Sequence, residues 1–263
     1  MVFKPIFLLL ILTFSLSFTK ADFSNDPNVY VSQHNTSPQS PGDGSITNPY
    51  LSITEALDHI IKIEEKALNG WKINIAPASS VYEITKSYQF LPGKFQSQFT
   101  VKKWENAPLP EGQADDLPRV SFTESVLDFV QVSDVELSSL NVIPHKGAIN
   151  IQEKGLRLKN LVFEEIALDK THAFITVSNS SDVEINGLDI HVKDYNTLVR
   201  VINEKSQFSL ITVDKINFIM DKTHDIEVGE KSSLFDFREN PSGAGNLEIN
   251  HVQLTGSYNR KNL

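Results

Sequence analysis

An eight-position pattern, apolar-x-apolar-x-x-apolar-x-apolar, recurs five times in the second half of the chain. Each half of the pattern alternates like a β-strand, because successive side chains of a strand point to opposite faces. The two-residue gap between the halves breaks the alternation and redirects the chain while the apolar set stays on one side. The copies start 21, 27, 28 and 36 residues apart and occupy Val135/Leu137/Leu140/Val142, Leu156/Leu158/Leu161/Phe163, Val183/Ile185/Leu188/Ile190, Ile211/Val213/Ile216/Phe218 and Leu247/Ile249/Val252/Leu254.

The two-residue gaps predict corners between strands. Three of the five gaps contain Asn or Gly, which tolerate the left-handed backbone that a sharp bend often requires. The five pairs are Ser138-Ser139, Lys159-Asn160, Asn186-Gly187, Asp214-Lys215 and Asn250-His251.

A third alternating segment precedes each copy, so each turn of the chain offers three short strands. Three strands per turn, stacked on the next turn at about 4.8 Å, make a single-stranded parallel β-helix, a solenoid whose inward aliphatic side chains form ladders. An antiparallel β-sandwich is the alternative, because it also uses short strands with frequent turns. The third segments are Leu127/Phe129, Ile149/Ile151, Ile175/Val177, Val199/Val201 and Phe235/Phe237.

The region before the repeat predicts a strand, a helix and two further strands. Ser52-Ile-Thr-Glu55 has the form of a capping box, apolar residues recur at helical spacing as far as Leu68, and Asn69-Gly70 supplies a stop. The segment 85–118 is rich in proline towards its end and gives no assignment. The predicted strands are Asn28–Ser32, Trp71–Ile75 and Val81–Ile84.

Residues 1–21 have the features of a secretory signal peptide. Lys4 supplies the positive start, Pro5–Phe18 is an apolar run, and Thr19–Ala21 offers small residues at a cleavage site. The apolar run is shorter than the roughly 20 residues that a membrane span needs. We therefore expect a secreted, extracellular chain over 22–263, with no transmembrane segment after cleavage.

Composition narrows the class of protein further. The formal net charge is −9 and no run of Lys or Arg supplies a basic face, so the sequence argues against nucleic-acid binding. The chain has no cysteine, which excludes the disulfide-stapled modules common outside cells. Two sequons, at Asn35 and Asn179, are candidate glycosylation sites.

The leading strand Val29–Val31, the segment Gly42–Leu57 and the repeat copies together resemble the secreted right-handed parallel β-helix proteins of the pectin lyase-like superfamily. The resemblance covers roughly residues 28–256. It implies one β-helix domain over 22–263, with a capping strand and helix at about 28–70 and regular coils at about 119–256. The helix would close the N-terminal end of the core.

The superfamily contains lyases, hydrolases, esterases and non-catalytic binders, so the resemblance fixes no activity. The sequence lacks the Asn-Thr-Asp and Gly-His-Gly motifs of the polygalacturonase-like hydrolases and the Gly-Arg-Pro-Trp and Gln-Asp-Thr motifs of the pectin methylesterases. It also lacks an acidic cluster of the kind that binds calcium in pectate lyases. These absences favour a protein that is not an enzyme.

The outward positions of the third segments are the candidate ligand-binding residues: Asp128, Asn150, Thr176, Arg200 and Asp236. Family enzymes hold polysaccharide in a groove beside the corresponding strand. Arg200, Asp236 and Arg238 are also candidates for a catalytic set, because Asp can exchange protons and Arg can stabilise negative charge. The alternative is that Asp and Arg simply pair on a solvated sheet.

A second outward row alternates in charge over its first three members and is typical of cross-strand pairing that stabilises a sheet. The seven histidines are scattered without metal-ligand spacing, so we expect no metal site and no cofactor. The second row is Glu136, Arg157, Glu184, Thr212 and Glu248.

Three function classes follow from these features. The first is a secreted, non-enzymatic β-helix with a binding or structural role, contacting a polysaccharide or other glycan along its strand face. The second is a polysaccharide lyase or glycoside hydrolase with an atypical site. The third is an assembly subunit, because an uncovered sheet end after Leu254 invites self-association unless the loop Arg238–Asn246 folds back over it.

Overall fold

The computed structural model describes most of the chain between residues 27 and 255. The predicted signal peptide at 1–21, the sequon at Asn35 and the residues after 255 lie outside the described residues. Among those described, no helix is long and apolar enough to cross a membrane. The described ranges are 27–34, 42–63, 70–92, 98–132, 134–153, 155–166, 173–180, 182–192, 197–203, 209–220, 235–239 and 245–255.

Seventeen strands and one short helix make up the described chain. Before the repeat they are β1 (Asn28–Val31), α1 (Ile53–Lys62), β2 (Trp71–Ile75), β3 (Tyr82–Ile84), β4 (Tyr88–Phe90), β5 (Phe99–Lys103), β6 (Arg119–Phe122) and β7 (Val126–Val130). They continue as β8 (Asp134–Ser138), β9 (Asn141–Ile143), β10 (Ala148–Gln152), β11 (Gly155–Ile166), β12 (Ile175–Ser178), β13 (Asp182–Val192), β14 (Val199–Asn203), β15 (Ser209–Met220), β16 (Phe235–Glu239) and β17 (Gly245–Thr255).

The strands form two curled sheets, and the described strands pair in parallel within each sheet. The larger sheet has eleven strands. Eight follow the order β1-β2-β5-β8-β11-β13-β15-β17, and the other three form a branch in the order β3-β6-β9, in which β9 pairs with β11. The smaller has six strands in the order β16-β14-β12-β10-β7-β4. The antiparallel sandwich is therefore wrong for the described chain, and the fold is an all-β arrangement of parallel strands, consistent with the β-helix-like class.

The five copies of the repeat pair with one another in register, except at Leu140, which lies between β8 and β9. Leu158 of β11, for example, lies opposite Leu137 of β8 and Ile185 of β13. The register places the apolar positions in four ladders, Val135-Leu156-Val183-Ile211-Leu247, Leu137-Leu158-Ile185-Val213-Ile249, Leu161-Leu188-Ile216-Val252 and Val142-Phe163-Ile190-Phe218-Leu254.

The predicted corners are real bends with a left-handed backbone. The second residue of every pair has a positive φ: 53° at Ser139, 52° at Asn160, 72° at Gly187, 54° at Lys215 and 46° at His251. The left-handed conformation is unfavourable for residues with a Cβ. The position therefore owes its conformation to the ladder on either side, since only two of the five residues are Asn or Gly.

Helix α1 begins as the sequence predicts and ends earlier. The Ser52 hydroxyl accepts a hydrogen bond from the Glu55 backbone N–H at 3.1 Å, and the Glu55 carboxylate accepts one from the Ser52 N–H at 3.3 Å, which completes the capping box. The sequence predicted that the helix continues to Leu68, but it ends at Lys62, because Ile63 has an extended backbone with ψ of 126°. Ile61 and Ile63 pack against the core, and β-branched residues favour extended structure over helix.

The segment 85–118, which the sequence left unassigned, contributes strands to both sheets. β5 lies between β2 and β8, so Phe99 and Val101 extend the ladders of Val135 and Leu137. β4 adds Phe90 beside Phe129, and the two rings stack with centroids 4.4 Å apart. Residues 104–118 separate β5 from β6, so this turn of the chain lacks the two-residue corner of the later ones.

Candidate functional site

The six-stranded sheet carries one continuous row of polar side chains on its outward face, here called the polar row. Its inward neighbours in each strand, such as Phe129 and Ile151, are buried, so alternation turns the polar row towards solvent. Register places the five predicted ligand-binding residues on successive strands, with one residue, Gln89, that the sequence analysis missed. The polar row runs Gln89, Asp128, Asn150, Thr176, Arg200 and Asp236.

Asp128 is held at one end of the polar row by two amides. The Gln89 side chain donates a hydrogen bond to one carboxylate oxygen at 3.1 Å, and the Gln152 side chain approaches the other at 3.5 Å. Gln152 belongs to β10, so these contacts tie three adjacent strands together on the solvent side. Asp128 is therefore positioned by its neighbours rather than left as an isolated charge.

Asn150 and Thr176 occupy the centre of the polar row. Both are partly exposed, and among the described residues neither side chain has a hydrogen-bond partner. An amide offers two donors and one acceptor, and a hydroxyl offers one donor and an acceptor. Adjacent strands place these groups about 4.8 Å apart, so a ligand lying across the strands can reach both.

Arg200 and Asp236 form an ion pair at the other end. The Arg200 Nε lies 3.0 Å from an Asp236 carboxylate oxygen, and the two side chains are only 22% and 17% exposed. The terminal guanidinium nitrogens of Arg200 make no hydrogen bond with any residue in the described ranges. These terminal nitrogens can form two parallel hydrogen bonds with the two oxygens of one carboxylate.

The predicted catalytic set is only partly assembled by the described residues. Arg200 and Asp236 come together, and Arg238 lies two residues further along β16 with its backbone opposite Ile202. The Arg238 side chain lies outside the described residues. A catalytic role for Arg200, Asp236 and Arg238 thus stays a prediction, while the pairing that the alternative expected is present.

The second outward row lies in the larger sheet and acts as a charge cluster. Glu136, Arg157, Glu184, Thr212 and Glu248 are in register on successive strands. The Arg157 guanidinium contacts Asp134 at 3.1 Å, Asp182 at 3.4 Å and Glu184 at 3.5 Å. The hydrogen bond to Asp134 is the main cause that raises the pKa of Arg157, against a smaller opposing effect of burial.

Asp134 and Asp182 were missed by the sequence analysis as partners of Arg157. Gly155 lies opposite Asp134, and a Cβ on Gly155 would come within 2.4 Å of an Asp134 carboxylate oxygen. Because glycine has no Cβ, the Asp134 carboxylate has room to reach the Arg157 guanidinium. Because the Arg157 guanidinium is already paired with three carboxylates of the protein, this cluster stabilises the sheet and offers less to a ligand than the polar row.

A crevice of about 310 Å³ lies beside β1, where no predicted site residue contributes. Its wall includes His34, whose Nε2 is buried without a hydrogen-bond partner in the described chain. Ser32, Ile46, Thr47, Pro49 and the segment Pro108–Pro110 complete the lining. The proline segment belongs to the region that the sequence left unassigned, so no pattern predicted the crevice.

The second candidate glycosylation site, Asn179, directly follows β12. Asn179 is partly exposed, has a positive φ of 53°, and donates its backbone N–H to Ile202 across the sheet at 2.8 Å. Glycosylation there stays a prediction. Within the described ranges no three His, Asp or Glu residues are grouped so that they could hold a metal ion.

Comparisons of the chain with protein-family models, with curated proteins and with solved structures find no match.

Proposed function

We propose that this protein is a secreted, non-enzymatic binding module that holds a linear polysaccharide along the polar row. The observation that carries the proposal is the central pair, Asn150 and Thr176, whose side chains are in register, partly exposed and free of partners in the described chain. A polysaccharide presents hydroxyl groups at a regular repeat. A regular row of amides and hydroxyls is the matching surface, because it exchanges water hydrogen bonds for ligand hydrogen bonds.

The two ends of the polar row define the preferred chemistry of the sugar. Arg200 is fixed by Asp236 through its Nε, which leaves its terminal nitrogens for a carboxylate or a hydroxyl group. Asp128, held by Gln89, accepts hydrogen bonds from sugar hydroxyls. We therefore infer a preference for a polysaccharide with sparse acidic groups over a densely charged one, because the chain as a whole is negative at −9.

The same proposal includes the finer fold: a right-handed parallel β-helix of the pectin lyase-like kind, with α1 closing its N-terminal end. In-register ladders, repeated left-handed corners and the buried apolar stripe of α1 support it. The apolar run at 5–18 supports secretion. Fold alone carries no activity, so the function rests on the polar row.

The test is a binding and turnover screen against neutral and acidic polysaccharides, with retention and new reducing or unsaturated ends measured together. Replacing Thr176 by Val and Asn150 by Ala removes the central hydrogen bonds, and we expect retention to weaken by about tenfold or more. The matched control is Thr212→Val, which makes the same change on an outward strand position of the other sheet.

Two outcomes would overturn the proposal. If Thr212→Val weakens retention as much as Thr176→Val does, the polar row is not the binding surface. If products form and Asp236→Asn abolishes them, the Arg200–Asp236 pair belongs to an atypical lyase or hydrolase site, and the protein is an enzyme. Retention without product supports the binding module.

A further inference from the structure

The last strand of the larger sheet, β17, exposes side chains that the rest of the ladder buries. Ile249 and Val252 occupy inward positions, opposite Val213 and Ile216 of β15. They are 55% and 51% exposed, whereas Val213 and Ile216 are 3% and 1% exposed. Within the described ranges β17 pairs with β15 on one side and with no strand on the other. Among the described residues, the sheet therefore ends in an apolar edge whose outer backbone groups pair with no strand.

The pattern of β17 is the same when it is read backwards. Its apolar positions 247, 249, 252 and 254 are symmetric about the peptide between Asn250 and His251. Reversal exchanges Ile249 with Val252, position 247 with 254, and Glu248 with Gln253. An antiparallel copy of β17 therefore places apolar against apolar and polar against polar along its whole length, with no like charges opposed.

The corner in β17 makes this pairing possible in three dimensions. The strand bends at His251, where φ is 46°, so its two arms lie on either side of the Asn250-His251 peptide. A two-fold axis along the bisector of that bend exchanges the two arms of one copy with those of another. The inward face stays inward under this rotation, and the same surface meets itself, as in the isologous interfaces of C2 dimers.

The other end of the same sheet is less suited to pairing with β17 of another copy. The backbone of Tyr30 in β1 is already bonded outside the sheet, its N–H to the Gly44 carbonyl at 2.9 Å and its carbonyl to the Tyr50 N–H at 2.9 Å. A strand from another copy would have to displace these bonds. Pairing of two β17 edges thus gives a closed dimer, whereas pairing of β17 with β1 would give an open filament.

From these observations we propose that two copies of this chain pair through β17 in an antiparallel, two-fold dimer, with Ile249 of each copy packed on Val252 of the other. In the dimer, the apolar ladders of the larger sheet continue from one copy into the other. The two β17 edges form backbone hydrogen bonds with each other. The proposal does not rest on the polar row, because the residues of β17 that carry it are not members of that row.

The first test is the mass in solution of the protein expressed from the full 263-residue sequence, measured by light scattering after gel filtration. We expect twice the mass of one chain. Ile249→Lys or Val252→Glu buries an unpaired charge in the dimer, and each should raise the dimer dissociation constant by at least about a hundredfold. Leu91→Lys, at a side chain that is 50% exposed elsewhere, is the matched control and should leave the mass unchanged.

The second test checks the register. In the two-fold pairing, residue 249 of one copy faces residue 252 of the other, so a mixture of Ile249→Lys chains and Val252→Glu chains should form a heterodimer although each alone is monomeric. The introduced ammonium then faces the introduced carboxylate, and the second contact keeps its native Ile249 and Val252. Circular dichroism of each variant confirms that the half-exposed substitutions leave the fold intact.

Three results would overturn the proposal. One is a single-chain mass for the native protein at every concentration, because the β17 edges would then not pair in solution. Another is a dimer whose mass survives both charged substitutions, since the interface would then lie elsewhere. The third is a mixture of the two variants that stays monomeric, because the register between Ile249 and Val252 would be wrong.

Discussion

The two ends of the larger sheet bring the same kind of ladder into very different surroundings. At the N-terminal end, Val29 and Val31 of β1 are fully buried under α1 and the segment 42–51, with Ile53, Leu57 and Ile60 of the helix at most 1% exposed. At the C-terminal end, Ile249 and Val252 of β17 are about half exposed. A repeating strand pattern specifies the interior strands of such a sheet, each of which has a neighbour on both sides. It does not specify what covers the last strand, because that strand has a repeat neighbour on one side only.

The largest expected effect comes from truncating the same residue type at an interior rung and at the edge. Ile185 and Ile249 belong to one ladder, yet Ile185 is fully buried. We expect Ile185→Ala to lower the free energy of unfolding by about 2–5 kcal/mol, because it leaves a cavity. Ile249→Ala should cost about 1 kcal/mol or less at low protein concentration, where the edge faces solvent. Urea denaturation measures both, and equal losses would contradict the contrast between interior and edge.

A second prediction concerns the segment 42–51, whose Gly44 and Tyr50 hydrogen-bond to the backbone of β1. Gly44 has a φ of 79°, and a Cβ there would lie 2.5 Å from the ring of Tyr50. Gly44→Ala should destabilise the protein by about 1–3 kcal/mol, through the left-handed backbone and the clash. Gly112→Ala is the control: its φ is 80° but nothing lies within 4 Å of the new Cβ, so it isolates the backbone contribution. Thermal unfolding of the two variants gives the difference, and a Gly112→Ala loss as large as that of Gly44→Ala would remove the role of the Tyr50 contact.

The start of α1 gives a smaller effect that should be confined to one end. Ser52→Ala removes the hydroxyl that accepts the Glu55 N–H and should cost about 1 kcal/mol, whereas Ser52→Gly should cost only a few tenths. Amide hydrogen exchange locates the change. We expect faster exchange in β1 and β2, which pack against the helix, and unchanged exchange in β15. Uniform acceleration across the sheet would mean that the helix stabilises the whole fold rather than one end.

The smallest effect is a pH dependence that ties α1 to the strands. Asp58 contacts the Lys86 ammonium at 2.8 Å and the Tyr88 hydroxyl at 2.9 Å, and the hydrogen bond from Lys86 is the main cause that lowers the pKa of Asp58. Ionised Asp58 therefore adds stability above the ordinary carboxyl pKa of about 4, and that stability is lost as the pH falls through the lowered pKa. The contribution is under about 1 kcal/mol, because the pair is partly solvated.

Asp58→Asn tests this contribution by comparison with the native protein. The stability difference between the two should be present at neutral pH and should shrink as the pH falls below about 4. The control is Asp115→Asn, since Asp115 pairs with Lys103 in the segment between β5 and β6, away from α1. A difference that stays constant down to acid pH would show that the Asp58 charge does not stabilise the fold.

The sequence predicted the ladders well, because the apolar pattern and the sheet register depend on the same property of a strand. The five copies of the repeat pair as expected, and so do the third segments from Leu127 to Phe237. The capping box at Ser52 was also readable, because its geometry is local. The end of α1 was not, because packing of Ile63 on the core overrides the helical spacing that continues in the sequence.

The strands missed by the sequence and several contacts of the polar row depend on interactions that no local pattern encodes. Strands β4, β5 and β6 were missed, because residues 104–118 interrupt the two-residue corner that identifies the later turns. Gln89 was missed for the same reason, since it belongs to β4. The row positions of Asp128 and Asn150 followed from alternation alone, but the amides that hold Asp128 and the freedom of the Asn150 side chain are consequences of tertiary packing.

The stacked phenylalanine rings have a consequence for how the chain reaches its native order. Rungs with nearly interchangeable aliphatic side chains can pair with the wrong neighbour, or skip one, at little loss of contact energy. Phe90 and Phe129 stack at 4.4 Å, and Phe99 lies 5.1 Å from Phe129, so the early turns share a cluster of three packed rings. These rings distinguish the early turns from the later ones, whose ladders are built mainly on aliphatic side chains, and an assembly order that begins with them reduces the ambiguity before the later turns are added.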